Sequence, residues 1–522
     1  MTPRSSAIHR GVRQPDPFAP RQAPRWTPKP AVSGFVLAFL GTLVVALVQG
    51  PKMFFYDSGE YWTLAKTFTQ HGHVSLLNFE SPLRGYALPL IYEGLKTIGS
   101  ALGWSQSVLA KLSNVLAFAL IGAVLVPRLA EMAWPAHRWG IVRRLALTAV
   151  LVIFWSGYLN FPLSDFPALV VALVALVAIA HPDRPGWMLL AGVASGVALD
   201  IRPAYLLLTP IIVILVVWAW LEQRGAQHAS VATRALCIAL LVGGFAAVSL
   251  PQSLASHRHY GTWSFIPGTA AHLSDIQLTD GLRYQSFTTY IGPGKPSPAM
   301  LYVDPAGQRL LRHEKGDEIT SFGEYLGLIL AHPITMSGVL GRDLINGLDQ
   351  RYTTPYIEHL DTGSHRWLRL ANFLILFLAL VRVLWPRARR SLGPAKWRYP
   401  VAFLLCCLTS VPSQMETRYL LPVYLLSYTL LLMPDWPNPY EASEVGLARF
   451  RTPLLLSGAC LVFMAVFILV TAQTSKHLQF GSDRAYADQF TSRRSAVRLA
   501  SLNRTEDALG WSRQPSFPFS RV

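Results

Sequence analysis

The segment AVSGFVLAFLGTLVVALVQG, residues 31–50, is a continuous apolar run, and the motif YDSGEYW, residues 56–62, follows it after a short linker. About 20 apolar residues in a helix span the hydrocarbon core of a bilayer. Similar runs recur along most of the chain, and they are continuous rather than alternating as in the strands of an outer-membrane barrel. The sequence therefore predicts an all-α polytopic membrane protein in which Asp57 and Glu60 lie where the first helix leaves the membrane.

The composition agrees with membrane insertion and argues against a nucleic-acid partner. Hydrophobic residues make up 52% of the chain and charged residues 14%, whereas soluble domains carry about 25% charged residues. The 46 basic and 29 acidic residues give a net charge of +17. Much of the basic excess lies in short loops between apolar runs, which is typical of cytoplasmic loops. We therefore expect no nucleic acid among the partners.

We predict a bundle of about eleven transmembrane helices. The predicted spans are 32–50, 106–126, 145–160, 165–180, 187–200, 204–221, 235–251, 366–384, 399–412, 420–433 and 453–472. Basic short loops fall on one side of this arrangement and carboxylate-bearing turns on the other, and the positive-inside rule makes the basic side cytoplasmic. We expect a multi-pass protein of the cell inner or plasma membrane, with the carboxylate-bearing turns on the extracytoplasmic side.

The predicted spans divide the chain into five parts. They are a disordered basic cytoplasmic tail (1–31), an N-terminal transmembrane module (32–251) with a first outer loop at 51–104, an extracytoplasmic loop domain (252–365), a C-terminal transmembrane module (366–472) and a C-terminal tail (473–522). Eleven spans would place the C-terminal tail outside, whereas the arginines within it favour the inside. Its side is therefore left open.

Three carboxylates at the predicted outer face are candidate catalytic groups. Asp57 and Glu60 would share the first turn of a helix and one of its faces, and Asp165 lies in the short outer turn between the third and fourth spans. Acids at these positions also suit a helix start, as a capping box or an N-cap. Tyr61, beside Glu60, does not decide between the two, because aromatic residues are common at membrane interfaces.

Three arginines on the same predicted side, Arg84, Arg202 and Arg418, run against the positive-inside trend. A bound phosphate would explain them. The structural alternatives are a snorkelling side chain for Arg202 and a local ion pair between Glu416 and Arg418, followed by Tyr419. Together, the outer acids and outer arginines predict a site for a phosphate-bearing substrate.

The sequence does not indicate a metal centre or a disulfide framework. The histidine pairs His71/His73 and His257/His259 have no companion acid at ligand spacing, so we interpret them as solvated. The four cysteines lie in or beside apolar runs and are interpreted as small buried residues. They are Cys237, Cys406, Cys407 and Cys460.

Five segments resemble the GT-C superfamily of integral-membrane glycosyltransferases, which includes protein O-mannosyltransferases and aminoarabinose transferases. The segments are Asp57-Ser58-Gly59-Glu60-Tyr61-Trp62, Arg84-Gly85, Leu163-Ser164-Asp165, Ile201-Arg202-Pro203 and Glu416-Thr417-Arg418-Tyr419-Leu420-Leu421-Pro422. The resemblance covers the membrane core, about residues 32–435. Many members of the superfamily have an adjacent Asp-Glu pair in the first loop, whereas Ser58 and Gly59 separate the two acids in this chain.

The resemblance implies a sugar donor carried on a polyprenyl phosphate, an acceptor that is a lipid, a glycan or a protein, and Asp57 as the group that activates the acceptor hydroxyl. With it we group Glu60 and Asp165 as catalytic candidates. The substrate-binding candidates are Tyr61, Arg84, Arg202, Glu416, Arg418 and Tyr419. Some relatives bind a divalent metal ion and others do not, so a divalent metal stays open as a cofactor and none is assigned.

Two other functional classes compete with this interpretation. A transporter or flippase of a lipid-linked or envelope glycan would carry ionisable residues at mid-membrane depth and broken helices, whereas the acids of this chain lie at the ends of predicted spans. A polymerase or ligase of surface glycans would share the outer arginines and differ in its acceptor.

Overall fold

The structure is a computed structural model, and it describes residues 28–70, 72–222, 230–294, 298–316, 318–360, 363–385, 392, 396–433 and 448–481. Three predicted features lie outside the described residues. They are the basic N-terminal tail up to residue 27, most of the predicted cytoplasmic loop between the spans 366–384 and 399–412, and the C-terminal tail beyond residue 481.

The described chain is mostly helical. Its α-helices are α1 (Pro28–Val48), α2 (Tyr56–Leu64), α3 (Ala87–Leu102), α4 (Gln106–Leu120), α5 (Val126–Ala133), α6 (Ile141–Trp155), α7 (Asp165–Ala178), α8 (Pro185–Ile201), α9 (Leu208–Glu222), α10 (Val231–Tyr260), α11 (Leu273–Arg283), α12 (Pro305–Lys315), α13 (Phe322–Ala331), α14 (Pro333–Gly347), α15 (Gly363–Leu384), α16 (Arg398–Leu405), α17 (Leu421–Leu432) and α18 (Ala448–Ser475). A π-helical turn, Ile121–Leu125, joins α4 to α5.

Seven helical segments among the described residues are long and apolar enough to cross a membrane. They are Pro30–Val48, Gln106–Ala133, Ile141–Asn160, Pro203–Glu222, Val231–Tyr260, Gly363–Leu384 and Leu454–Ser475. Each of them coincides with one of the predicted spans. The structure therefore fits a multi-pass, predominantly α-helical membrane protein.

The other four predicted spans are helices that are shorter than a bilayer-crossing helix. They correspond to α7, α8, α16 and α17, which are 14, 17, 8 and 12 residues long. Since about 20 residues are needed to cross the hydrocarbon core, these helices do not meet the length criterion by themselves. The number of eleven spans stays a prediction. The helix α10 also runs to Tyr260, beyond the predicted end of its span at residue 251.

The end of α1 is fixed by a lysine from α4. The Lys111 ammonium group donates hydrogen bonds to the backbone oxygens of Ala46 and Gly50, at 2.6 and 2.5 Å. A cation suits the carbonyl end of a helix. Gly50, with φ +67°, then takes the left-handed conformation that commonly follows a helix end. The chain consequently leaves α1 at a defined point, a few residues before α2.

Glycines allow α8 and α10 to pack closely. A Cβ added to Gly192 of α8 would lie 2.0 Å from the Leu241 oxygen, and one added to Gly244 of α10 would lie 2.7 Å from the Leu189 oxygen. Small residues allow close backbone approach between helices in membranes. This contact holds α8, and therefore the adjoining Arg202, in a fixed position.

A small mixed sheet combines three strands from the region between α10 and α15 with one strand that follows α18. Its strands are β3 (Tyr284–Tyr290), β4 (Ala299–Val303), β5 (Tyr356–Ile357) and β6 (Leu478–Phe480), in the order β5-β3-β4-β6, and the first loop has a separate hairpin of β1 (Thr69–Gln70) and β2 (His73–Val74). The strand β4 pairs antiparallel with β3 and β6, and β3 pairs parallel with β5. Because β6 follows α18 directly, the chain leaves its last described helix beside this region.

Candidate functional site

The nine predicted site residues lie in one connected network. They come from the start of α2, the loop before α3, the start of α7, the residue after α8 and the turn before α17. The members are Asp57, Glu60, Tyr61, Arg84, Asp165, Arg202, Glu416, Arg418 and Tyr419, and every one of them is within hydrogen-bonding or ion-pairing distance of another member. Residues that are hundreds of positions apart in the sequence therefore meet at one place.

Arg84 binds both acids of the first loop. One terminal nitrogen lies 2.7 Å from an Asp57 carboxylate oxygen and 3.2 Å from Glu60 Oε2. Its other terminal nitrogen is 3.4 Å from the Tyr61 hydroxyl, and the guanidinium carbon lies 5.0 Å from the centre of the Tyr61 ring. The guanidinium group therefore holds Asp57 and Glu60 on one side of α2.

Arg418 lies at the centre of the network and contacts three carboxylates. Its nitrogens lie 3.4 Å from Asp57 Oδ2, 3.3 Å from Asp165 Oδ2 and 2.8 Å from Glu416 Oε2. The Tyr419 hydroxyl donates to Glu416 Oε1 at 2.8 Å and fixes that carboxylate from the other side. One arginine thus links the first loop, α7 and the turn before α17.

Asp165 connects the remaining arginine to the network. Its side chain is fully buried, and it forms ion pairs with both Arg202 and Arg418. The Arg202 guanidinium carbon also lies 4.6 Å from the centre of the Tyr419 ring, at cation–π distance. Asp57 and Arg202 are therefore joined through two intermediate residues on the same side of the protein.

Asp57 and Asp165 lie at helix starts, as the alternative interpretation expects, but neither of them is the N-cap residue. Both residues lie within the first turn of their helices, and the N-cap residues are Phe55 and Ser164, neither of which makes a side-chain capping bond. The described contacts of the two carboxylates are with arginines. The negative charges form tertiary ion pairs, and their place in the first helical turn also suits the helix dipole.

The network is more accessible at one end than at the other. The Asp57 and Glu60 side chains are 34% and 33% exposed, whereas the Arg418 side chain is 12% exposed and that of Asp165 is 0%. A ligand that reaches the network from solvent would therefore meet the first-loop acids and Arg84 first. The contacts of Asp165 lie behind them.

Partial burial raises the pKa of the Asp57 carboxyl, but the neighbouring Arg84 and Arg418 outweigh it and hold the pKa below its ordinary value of 3.8. The carboxyl is therefore ionised at neutral pH. Both oxygens of Asp57 accept from arginines, which reduces its basicity as long as these contacts persist.

The backbone beside Asp57 is held in an uncommon conformation. Tyr56 has φ +43°, in the left-handed region that a bulky side chain seldom adopts. The Tyr356 hydroxyl closes this turn, since it donates to the Phe55 oxygen at 2.9 Å and accepts from the Ser58 nitrogen at 3.2 Å. Tyr356 thus bridges the two residues that flank Tyr56 and Asp57.

Sequence reasoning missed Tyr356, because no local pattern marks a residue that acts on a loop 298 positions away. Its strand is anchored at the same place by further contacts. The Gly157 nitrogen donates to the Thr353 oxygen at 2.9 Å, and Lys52 pairs with Glu358 at 2.8 Å. The segment 353–358 therefore ties the region between α10 and α15 to the first loop.

Asp200 is a second residue that sequence reasoning missed. Its buried Oδ1 accepts from the Ala87 nitrogen at 2.7 Å. A Cβ added to Gly85 would lie 2.1 Å from the backbone oxygen of Asp200, so only glycine fits at this contact. The two contacts fix the Arg84 loop against the end of α8 and so place Arg84 and Arg202 relative to each other.

The described residues contain no group of three or more His, Cys, Asp or Glu side chains arranged to hold a metal ion. His71 lies outside the described residues, and His73 is exposed in β2. His257 stacks on Trp263 at 4.1 Å, and His259 lies 2.9 Å from the Leu77 oxygen. The carboxylates of the network are neutralised mainly by arginines.

Comparison of the whole chain with protein-family models and with curated proteins found no match, so similarity does not assign it to a family.

Proposed function

We propose that the protein is a glycosyltransferase that moves a sugar from a polyprenyl-phosphate donor to a hydroxyl of a lipid, glycan or protein acceptor at the outer face of the membrane. The observation that carries the proposal is the convergence of the nine predicted site residues, all within segments that resemble the GT-C superfamily, into one network of ion pairs and hydrogen bonds.

The arginines suit the phosphate of such a donor. Guanidinium groups bind phosphate oxygens through paired hydrogen bonds. Arg84, Arg202 and Arg418 are each engaged by carboxylates, which keeps three cations together until a competing anion arrives. The donor phosphate would take over some of these contacts, and its polyprenyl chain would remain among the membrane-crossing helices.

Asp57 is the proposed general base. In the transfer step, the acceptor hydroxyl oxygen forms a bond to the anomeric carbon, its proton passes to the Asp57 carboxylate, and the bond from that carbon to the phosphate oxygen breaks. The transition state is oxocarbenium-like, and a positioned base contributes about 10²–10⁴-fold. The departing polyprenyl phosphate leaves with the bonding electron pair, and Arg202 and Arg418 stabilise its charge.

The substrate also changes the basicity of Asp57 in this scheme. Without donor, Arg84 and Arg418 hold the pKa of the carboxyl below its ordinary value. When the donor phosphate draws Arg418 away from Asp57, only Arg84 still favours the ionised form of the Asp57 carboxyl. The pKa of the carboxyl then rises, and the carboxylate becomes a better proton acceptor. Glu60 and Asp165 keep Arg84 and Arg202 in place during this exchange.

The same proposal assigns the finer architecture. The four shorter helices α7, α8, α16 and α17 complete a GT-C-like bundle of about eleven membrane helices, and the region at 252–365 forms an extracytoplasmic domain. It follows that the network faces the outside of an inner or plasma membrane.

The test is a transfer assay with purified protein in lipid nanodiscs, radiolabelled polyprenyl-phosphate sugars of several kinds, and crude cell-envelope acceptors. Asp57→Asn should lower transfer by about 10²–10⁴-fold, whereas Glu80→Gln, which alters an exposed carboxylate of the same loop, should leave it unchanged. Equal activity in Asp57→Asn would remove the proposed base. Uptake of a lipid-linked sugar into proteoliposomes without transfer would favour a transporter or flippase, and identification of the acceptor would distinguish a polymerase or ligase.

A further inference from the structure

The helices α13 and α14 form a hairpin with an apolar surface that the described parts of the chain leave uncovered. Phe322, Leu326, Leu330 and Ile334 are 66%, 44%, 75% and 89% exposed. They are spaced four residues apart, and residues at this spacing lie above one another on a helix. The row follows one side of α13 and continues around the corner to the first turn of α14.

The opposite side of the hairpin attaches it to the protein. Tyr325, Leu328, Met336 and Val339 are buried in a small apolar core that also includes residues of α11 and α12. The helix α13 is thus apolar on its packed side and on its outward side. A helix that faced water would carry polar residues on the outward side.

The length of α13 excludes a membrane crossing. Its 10 residues extend about 15 Å, which is half of the roughly 30 Å hydrocarbon core. A short helix with an outward apolar side can lie in the membrane interface, with that side in the boundary between headgroups and acyl chains.

The segment beside the corner of the hairpin carries charges of both signs. His332, between α13 and α14, is 3.3 Å from Glu314 near the end of α12. The last turn of α12 carries Arg312, His313 and Lys315. Glu314 lies in the same turn, and the His313 ring is 2.9 Å from its carboxylate, so docking rests on the apolar side chains and not on a positive patch.

We propose that the α13–α14 hairpin docks on the bilayer crossed by the membrane helices of the same chain, with the four exposed apolar side chains in the acyl boundary. Two observations favour lipid over a second protein copy. Comparable exposure of large apolar residues occurs on the apolar helix α18, where Leu454 and Leu461 are 73% and 71% exposed. The hairpin is also tethered on both sides, between α10 and α15, which are both long enough to cross a membrane.

Docking of the hairpin would set the position of the candidate site relative to the lipid surface. The helix α14 runs from the hairpin corner to Gly347, over about 22 Å. A Cβ added to Gly347 would lie 2.6 Å from the Met415 sulfur, so α14 ends directly against the turn that carries Glu416 and Arg418. The docking proposal does not depend on the proposed reaction.

The test places an environment-sensitive fluorophore on cysteines introduced by Leu326→Cys or Leu330→Cys in a Cys460→Ser background. The other native cysteines, Cys237, Cys406 and Cys407, are buried. Arg309→Cys, on the exposed side of α12, is the matched control. In nanodiscs of zwitterionic and anionic phospholipid, nitroxide-labelled lipid should quench the fluorophore at 326 and 330 but not at 309.

If the nitroxide lipid did not quench the fluorophore at 326 and 330, and its emission there equalled the emission at 309, the proposal would be overturned. Energy transfer between labels on two copies without lipid quenching would also overturn it, by assigning the surface to a second copy. Lipid crosslinking of the unsubstituted protein is a second measurement, which does not depend on the folding of any variant. Photoactivatable lipid should form adducts within 322–334, and adducts on α18 without any in this hairpin would contradict docking.

Discussion

Asp165→Asn is the substitution that tests the buried part of the network most sharply. It keeps the shape of the side chain but removes the negative charge that lies between Arg202 and Arg418. Asp165 is fully buried, and the two arginines are only 14% and 12% exposed. Removal of one partner from a buried ion pair costs about 3–5 kcal/mol, because it leaves an uncompensated buried charge; here that charge is the Arg202 guanidinium, since Arg418 keeps its pairs with Asp57 and Glu416. We expect a destabilisation of that size.

An exposed ion pair of the same protein provides the control. Lys52 and Glu358 lie 2.8 Å apart, but their side chains are 39% and 45% exposed. Exposed pairs of this kind contribute about 0–1 kcal/mol. Glu358→Gln should therefore change the free energy of unfolding far less than Asp165→Asn, although each substitution removes one carboxylate from an ion pair.

The assay is equilibrium unfolding of the purified protein in mixed detergent micelles, with the wild type and the two variants compared at one pH and one salt concentration. The expected loss for Asp165→Asn corresponds to roughly two to four powers of ten in the unfolding constant. If Asp165→Asn and Glu358→Gln were equally close to the wild type, the network would not hold these segments together.

Three further predictions concern the neighbourhood of Asp57. Arg84→Gln removes a cation 2.7 Å away and should raise the pKa of the Asp57 carboxyl. A carboxyl whose pKa is depressed in the folded state contributes stability that is lost as the pH falls through that pKa. Acid unfolding of the variant should therefore begin at a higher pH than that of the wild type. An acid-unfolding midpoint equal to that of the wild type would contradict this. Tyr356→Phe removes two hydrogen bonds around Tyr56 and should cost about 1–3 kcal/mol in micelle unfolding, whereas no loss would show that the hydroxyl does not hold the turn. Gly85→Ala places a Cβ 2.1 Å from a backbone oxygen of α8 and should cost about 1–3 kcal/mol or more; wild-type stability would mean that the loop can move away.

Hydropathy and charge asymmetry predicted a large part of the architecture. An apolar run long enough for a bilayer is a local property, so the seven long helices coincide with predicted spans. The site prediction also depended on local features of the sequence, since Arg84, Arg202 and Arg418 stood out as basic residues on the predicted outer side. The network shows that these residues belong together, which their separate positions in the sequence could only suggest.

The features that sequence reasoning missed depend on contacts between distant segments. Nothing beside Tyr356 indicates that its hydroxyl reaches the turn at Phe55, 301 residues away. Asp200 looks like the end of an apolar run, and its role appears only when α8 packs beside the loop at Ala87. The arginine partners of Asp57 likewise come from other parts of the chain, so its place at a helix start does not reveal them.

The central claim is tested most directly by separating donor binding from transfer in Asp57→Asn. Single-turnover transfer from a polyprenyl-phosphate sugar should fall by about 10²–10⁴-fold, while the affinity for the same donor, measured with the immobilised protein in nanodiscs, should be retained or increased, because the arginines have lost a competing carboxylate. Transfer by Asp57→Asn at the wild-type rate would contradict the account. Loss of donor binding by Asp57→Asn, together with an absence of transfer by the wild type, would also contradict it.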